Sequence, residues 1–137
     1  MNANSAQDAR TAKLQVYSTD GSAESVYVDI TQAGQDRTPA IQLDRTEITG
    51  VSKDGSTVTV NATIKYIYHW TTQNPSPEWV TVPAEGYGSK YTVLTSSINV
   101  VVKANSTGAE RNTTVKFYNA DVSPATEMAS LTIRQLG

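Results

Sequence analysis

The chain has 137 residues, of which 38% are hydrophobic and 18% are charged, and its formal net charge is -2. This length accommodates one domain, or one domain and a fragment. The slightly acidic balance argues against a nucleic-acid partner, which requires clustered Lys and Arg, and no segment is long and apolar enough to be a membrane span. Because the chain contains no cysteine, disulfides and thiolate chemistry are excluded.

The first predicted element is a β-hairpin. Residues 12–18 alternate between apolar and polar side chains, Asp20 and Gly21 favour a tight turn, and residues 25–31 alternate again. The polar segment 35–39, which ends in a proline, is typical of a linker.

The clearest predicted strand covers residues 57–70, where apolar and polar side chains alternate with a period of two. A short strand around Ile41 and Leu43 and a turn at residues 53–56 precede it. Fourteen residues is long for one strand, so we expect a bend or bulge near Tyr66. The alternation places one set of side chains on the core face: Val58, Val60, Ala62, Ile64, Tyr66, Tyr68 and Trp70.

Shorter elements follow this strand. Residues 71–77 are predicted as a polar loop, residues 79–82 as a short strand, and residues 85–89 as a glycine-rich turn. No segment has the periodicity or the capping residues of a helix. Short strands separated by turns predict an all-β sandwich, which the remaining alternating segments complete: 90–104, 113–119 and 127–135.

The chain also repeats its own ending. Residues 3–34 align with residues 104–137, with an offset of 101 in the first part of the repeat and 103 in the last part. Matches at fixed spacing indicate a repeated structural unit. We therefore predict a partial repeat at residues 1–36, corresponding to the C-terminal hairpin of a preceding unit, and a complete β-sandwich unit at residues 37–137.

A two-stranded hairpin is only marginally stable by itself in water. Residues 11–32 are therefore expected to pack against other strands. The sequence leaves three possibilities open: the complete unit, another copy of the chain, or a preceding unit.

Several features taken together resemble the BACON domain family. They are the Trp-Val-Thr-Val strand at 79–82, an Asn-to-Arg loop that ends at Arg111, and the closing Leu-Thr-Ile-Arg-Gln strand at 131–135. The resemblance covers about residues 39–137, and residues 3–34 resemble only the last part of the family pattern. The family name stands for Bacteroidetes-associated carbohydrate-binding, often N-terminal. The resemblance implies an immunoglobulin-like β-sandwich, often in tandem, on secreted or surface proteins of gut bacteria and in related phage proteins.

Exposed aromatic residues are the candidates for binding a sugar, because an aromatic ring offers a flat apolar face. Tyr87 and Tyr91, around the glycine-rich turn, are the first candidates, and the polar residues 71–77 would form the rim of the site. Trp79 is a third candidate, although a core position is favoured for it, as it is for Trp70 on the apolar face of the long strand.

Other residues carry less functional signal. His69, the only histidine, is expected on the solvent side, and it has no histidine or cysteine partner for a zinc site. In each copy of the repeat an Asn precedes an Arg by six residues, which we interpret as a clamp in which both side chains bond the backbone: Asn4 with Arg10, and Asn105 with Arg111. The repeated tyrosines Tyr17 and Tyr118 are interpreted as cross-strand aromatic partners.

Two functions remain open, and neither is enzymatic, since no catalytic constellation, metal site or cofactor motif is visible. The first is a non-catalytic surface or extracellular module that acts as a spacer or display element and weakly binds glycans, either polysaccharide or mucin. The second is a structural virion protein of a phage. Such a protein would contact neighbouring domains or subunits through its N-terminal hairpin. Residues 1–10 lack the apolar core of a signal peptide, which favours this alternative.

Overall fold

The computed structural model describes residues 2–137. The chain divides into two compact units, Met1–Arg37 and Thr38–Gly137. The described residues form strands and no helix, in keeping with a composition rich in β-branched residues. The strands are β1 (Arg10–Val16), β2 (Val26–Gln32), β3 (Ala40–Leu43), β4 (Glu47–Val51), β5 (Ser56–Gln73), β6 (Val80–Thr81), β7 (Glu85–Val102), β8 (Arg111–Asn119) and β9 (Thr126–Gln135).

The first unit contains the predicted hairpin, in which β1 and β2 pair antiparallel. Arg10 lies opposite Gln32 at the open end, and Val16 lies opposite Val26 near the turn. Gly21 has a φ of 73°, a left-handed conformation that glycine adopts without steric cost, and it closes the reversal.

The second unit is a β-sandwich of seven strands. One group of strands runs in the order β4-β9-β8, and the other contains β3, β5, β7 and β6. The last residues of β5, Trp70–Gln73, pair with β8 and connect the two groups. Among the described strands, β4 and β9 make the one parallel pair. The predicted fold class, an all-β immunoglobulin-like sandwich with an N-terminal hairpin, is confirmed.

Apolar side chains from both groups of strands form the core of the second unit. Each fully buried Val, Ile, Leu or Phe side chain contributes about 1.5–3 kcal/mol relative to an exposed one. The largest fully buried apolar residues are Val60, Ile64, Ile67, Val80, Ile98, Val100, Val115, Phe117, Leu131 and Ile133.

β5 carries a bulge at the predicted position. The register between β5 and β7 shifts between Lys65 and Ile67, so that residues 90–92 of β7 lie opposite Tyr66. Tyr66 has a φ of 55°, which is unusual for a residue other than glycine. The bulge changes which side chains face the core, since Ile67 is buried and Tyr68 is exposed. The prediction of Tyr68 as a core residue is therefore wrong.

Three element boundaries differ from the sequence prediction. β4 was not predicted, because Gly50, with a φ of 64°, interrupts its apolar pattern. Residues 71–73 extend β5 instead of starting a loop. Residues 85–89 begin β7 and are not a turn. Gly86 and Gly88 are required there for a different reason, because a Cβ atom at either position would collide with β5.

Candidate ligand-binding surface

Three ring side chains meet where β5 ends and β7 begins. Tyr68 and His69 follow the bulge of β5, and His69 pairs in register with Tyr87. The imidazole of His69 stacks on the ring of Tyr87, with ring centres 4.9 Å apart and planes inclined by 10°. The ring of Tyr68 lies 5.4 Å from that of Tyr87, tilted by 57°. We call Tyr68, His69 and Tyr87 the aromatic platform.

Two carboxylates hold the aromatic platform in place. Oε2 of Glu85 lies 2.8 Å from Nε2 of His69. The backbone N–H groups of Tyr68 and His69 donate to the two carboxylate oxygens of Asp121, at 2.8 and 3.1 Å. Both the backbone and the imidazole are therefore fixed, so the ring of Tyr87 rests on a positioned partner. A surface that is ordered before binding loses less entropy when a ligand arrives.

Both tyrosines of the platform are open to solvent. Tyr68 is 53% exposed and Tyr87 is 57% exposed. Tyrosine combines an apolar ring with a polar hydroxyl, which suits a ligand that has both kinds of surface. Beside these rings, Glu85 provides a carboxylate and His69 an imidazole. The arrangement can hold a flat ligand that is apolar on one face and rich in hydroxyl groups at its edge.

Tyr91, the second predicted candidate, lies in the bulged part of β7. Its side chain is 68% exposed. Its backbone N–H donates to Oγ of Ser89 at 3.1 Å, which shapes the chain locally between Ser89 and Tyr91. Tyr91 therefore presents its ring on the same strand as Tyr87, four positions further along.

The two tryptophans are core residues. Trp70 packs against Phe117, with ring centres 6.1 Å apart. Trp79 is only 7% exposed, and the guanidinium group of Arg111 lies 4.4 Å from the centre of its ring. Such a cation–π contact covers the face that a sugar would need. The suggestion of Trp79 as a third stacking residue is corrected accordingly: its role is structural.

The predicted rim at residues 71–77 is partly strand and partly a fixed turn. Asn74 anchors the turn, because its side-chain amide donates to the carbonyl of Val80 at 2.8 Å and its Oδ1 accepts the N–H of Ser76 at 3.0 Å. The hydroxyl of Tyr118 donates to Oε1 of Gln73 at 3.1 Å. The proposed contact of this segment with a ligand stays a prediction.

The clamp that was predicted from the repeat is present in both units. Asn105 donates to two backbone carbonyls, at 2.7 and 2.9 Å. Arg111 donates through Nε to Oε1 of Gln135 at 2.8 Å and through Nη2 to two further carbonyls, both at 3.0 Å. Asn4 and Arg10 make the corresponding bonds in the first unit. These residues tie a loop to the closing strand.

Over residues 2–137, no group of three or more His, Asp or Glu side chains is arranged to hold a metal ion. No helix long and apolar enough to cross a membrane occurs in that range either.

Three members of the site were not found from the sequence: Tyr68, His69 as a platform residue, and Glu85. Their proximity to Tyr87 depends on the register between β5 and β7, which the bulge shifts. The predicted bulge was the one signal in the sequence that pointed to these residues. Beyond a bulge, the alternation of side chains no longer indicates which of them face the core.

Comparison with known proteins identifies the family. The family model described as "BACON: Putative binding domain, N-terminal" matches residues 69–136. No curated protein matches the chain. One similar solved structure is a Bacteroides ovatus GH5 xyloglucanase in complex with a XXXG heptasaccharide, with a TM-score of 0.54 and 20% identity over 71% of this chain. This chain corresponds to only 19% of the length of that xyloglucanase. Another is WR4, a C. elegans MSP family member, with a TM-score of 0.47 and 10% identity over 73% of this chain and 99% of WR4.

The likeness to the xyloglucanase, at 20% identity, supports the β-sandwich fold alone. The family match lies within the second unit and includes part of the aromatic platform, the clamp residue Arg111 and the closing strand. The match also covers the three features on which the sequence resemblance depends: the Trp-Val-Thr-Val strand at 79–82, the loop that ends at Arg111, and the closing strand. The resemblance to the BACON domain family that the sequence indicated is confirmed by the family-model match over residues 69–136, within the second unit.

Proposed function

We propose that the chain is a non-catalytic carbohydrate-binding and display module of an extracellular or cell-surface protein. The observation that carries the proposal is the aromatic platform, in which the exposed ring of Tyr87 is oriented by His69 and accompanied by Tyr68. Two tilted, exposed rings on neighbouring strands suit the apolar faces of consecutive sugar units.

Polar groups at the platform supply the second element of sugar recognition, which is hydrogen bonding to hydroxyl groups. The carboxylate of Glu85 is about half exposed and keeps acceptor capacity beyond its contact with His69. A few polar groups beside an apolar surface are what fixes the orientation of a ligand. Since the platform is an open surface, it fits a segment of an extended glycan better than an enclosed small molecule.

A binding role without catalysis is favoured by how the nearby carboxylates are used. Glycoside hydrolysis generally requires two carboxyl groups that face each other across the scissile bond. Here Asp121 accepts two backbone N–H groups, and Glu85 is engaged with His69. Both carboxylates therefore support the platform.

The comparisons suggest which glycans to test first. The family is described as a binding domain, and the similar xyloglucanase was solved with a XXXG heptasaccharide. We propose xyloglucan-type plant polysaccharides and mucin glycans as the first ligand classes, with weak affinity expected for a single open platform.

The proposal is tested by retention of the chain on immobilised xyloglucan and mucin, compared with a glycan array. Tyr87→Ala and Tyr68→Ala should each weaken retention by about fivefold or more, since stacked aromatic contacts contribute on the order of 1 kcal/mol or more. Tyr17→Ala is the matched control, because Tyr17 is a similarly exposed tyrosine in the first unit. Absence of binding to every glycan, or equal losses in all three variants, would contradict the proposal.

A second candidate function is structural, as part of an assembly such as a phage virion. The observation that favours it is the apolar surface of the first unit, where Leu14, Val16 and Val26 are exposed. Sedimentation of the chain at high concentration tests it: an ordered assembly would support this role, and a monomer would argue against it.

A further inference from the structure

The hairpin of the first unit and the closing hairpin of the second unit share one hydrogen-bonded design. Nε of Arg10 donates to Oε1 of Gln32 at 2.8 Å, and Nε of Arg111 donates to Oε1 of Gln135 at 2.8 Å. Asn4 donates to the carbonyls of Asp8 and Ala33, and Asn105 donates to those of Ala109 and Leu136. These carbonyls occupy corresponding positions of the repeat once the greater length of the second hairpin is taken into account.

The register of the two hairpins is also the same. Leu14 lies opposite Val28 in the first unit, and at the corresponding positions Val115 lies opposite Leu131. The correspondence begins at the Arg–Gln pair at the open end of each hairpin. It extends to the pair near the turn, which is Val16 with Val26 in the first unit and Phe117 with Ala129 in the second.

What differs is burial. Leu14 is 52% exposed and Val28 is 47% exposed, whereas Val115 and Leu131 are completely buried. The side chains that build a core in one unit are therefore open to solvent in the other. An apolar face of this kind on a two-stranded sheet is a strong indication of a missing layer.

The second unit shows what covers such a face and its edges. β4 pairs in parallel with β9, with bonds from Thr132 N–H to the carbonyl of Thr46 and from Leu136 N–H to that of Val51, both at 2.9 Å. The end of β5 pairs with β8 on the other edge. In the described part of the first unit, β1 and β2 pair only with each other, so one edge of each strand is open.

The same comparison identifies a hydrogen bond of the second unit that has no counterpart among the described residues of the first unit. The amide of Gln135 donates to two carbonyls, those of Lys103 at 2.8 Å and Ser52 at 2.9 Å. The amide of Gln32 donates to the carbonyl of Asn2 at 3.1 Å, which corresponds to the bond with Lys103. Ser52 directly follows β4, which pairs with β9. Because β2 is the counterpart of β9, the position that corresponds to Ser52 lies beside the open edge of β2.

The loop before the hairpin indicates where the covering segment enters. In the second unit, β7 ends at Val102 and is followed by the loop that Asn105 and Arg111 clamp. In the first unit, the same clamp holds residues 2–9, and Arg10 bonds the carbonyl of Asn2 just as Arg111 bonds that of Lys103. Asn2 therefore occupies the position that Lys103, the residue after β7, occupies in the second unit.

We propose that the first unit is the last third of a second BACON-type sandwich, whose apolar face binds a polypeptide segment built like residues 38–102. This segment supplies the equivalents of β3 to β7: a parallel strand along β2, an edge strand along β1, and the facing layer of the core. The proposal does not depend on glycan binding.

The test is an extended chain in which residues 38–102 are joined to residues 2–137, which reproduces the spacing between Val102 and Lys103. Amide hydrogen exchange is measured residue by residue. Exchange at the hairpin residues 12–16 and 26–31 should slow by about 100-fold or more relative to the chain of residues 1–137, approaching that of residues 113–133 in the same molecule. Leu14→Asp combined with Val28→Asp in the extended chain should abolish this protection.

Three results would overturn the proposal. One is that hydrogen exchange at the hairpin is the same in the extended chain as in the chain of residues 1–137. Continued protection of residues 113–133 in that experiment shows that the second unit is folded. Another is a protected hairpin in the chain of residues 1–137 as a monomer, which would make that chain's own residues the occupant. The third is a protected hairpin in a dimer of that chain, which would make a second copy the occupant.

Discussion

Replacing Gln135 with methionine should destabilise the second unit by about 3 kcal/mol. The side chain is 1% exposed, and its amide joins three groups: Nε of Arg111 at 2.8 Å and the carbonyls of Lys103 at 2.8 Å and Ser52 at 2.9 Å. Methionine keeps the length of the side chain but loses all three bonds. Each is worth about 1 kcal/mol net.

The assay uses urea unfolding followed by tryptophan fluorescence. Trp70 and Trp79 are the only tryptophans, and both lie in the second unit, so the signal reports on that unit. The midpoint should fall in Gln135→Met with little change in the slope of free energy against urea. Gln32→Met is the matched control at the same position of the repeat, and it should leave the transition unchanged. A loss below about 1 kcal/mol in Gln135→Met, or an equal loss in the control, would refute the reasoning.

Three further predictions concern the platform and the first turn. Gly86→Ala should lower the free energy of unfolding by about 2 kcal/mol, because a Cβ there would overlap the indole of Trp70. Urea unfolding should show a smaller loss when the same change is made in a Trp70→Phe background, and an equal loss would count against this packing. Hydrogen bonds from Ser18, and to a lesser extent from Ser22, lower the pKa of Asp20 from 3.8 to about 2. The Asp20 carboxylate therefore stabilises the turn above pH 3.8, and this stabilisation is lost as the pH falls towards 2. An NMR titration should show Ser18→Ala raising that pKa towards 3.8, and an unchanged value would contradict the assignment. Asp121→Ala should weaken glycan retention by several-fold, because the backbone of β5 beneath the platform loses two hydrogen bonds; unaltered retention would separate Asp121 from the site.

Much of the fold follows from local sequence patterns. The alternation at residues 57–70 indicates a strand because side chains on a strand point to opposite faces in turn. The internal repeat likewise identifies the Asn–Arg clamp, since a pair that recurs at one structural position has a structural role. The first inference depends on residues close together in sequence, and the second depends on the recurrence of a short Asn–Arg spacing in the two copies of the repeat.

Features that depend on pairing between distant strands could not be predicted in the same way. The bulge near Tyr66 was expected, but its effect on Tyr68 depends on three residues of β7 lying opposite one residue of β5. The pairing of β4 with β9, which lies far along the chain and runs parallel to it, has no signal in the local sequence pattern. Gly86 was read as a turn residue, whereas its small size makes room for a cross-strand ring.

The candidate site, like the fold, could be predicted from the sequence only in part. Tyr87 and Tyr91 were predicted to be exposed because they lie around the predicted glycine-rich turn, and both are exposed although residues 85–89 are part of a strand. The cluster of Tyr87 with His69 and Glu85 is not visible, because only the register of β5 against β7 brings them together.

The most direct test of the central claim is an NMR titration of the intact chain with the XXXG xyloglucan heptasaccharide and, in parallel, with mucin O-glycans. If the aromatic platform is the glycan site, the amide and ring resonances of Tyr68, His69 and Tyr87 should shift in a saturable manner with at least one of these ligands. The resonances of Tyr17 and the first hairpin should stay in place. Saturable shifts that avoid the platform, or no shifts with either ligand at millimolar concentration, would contradict the account.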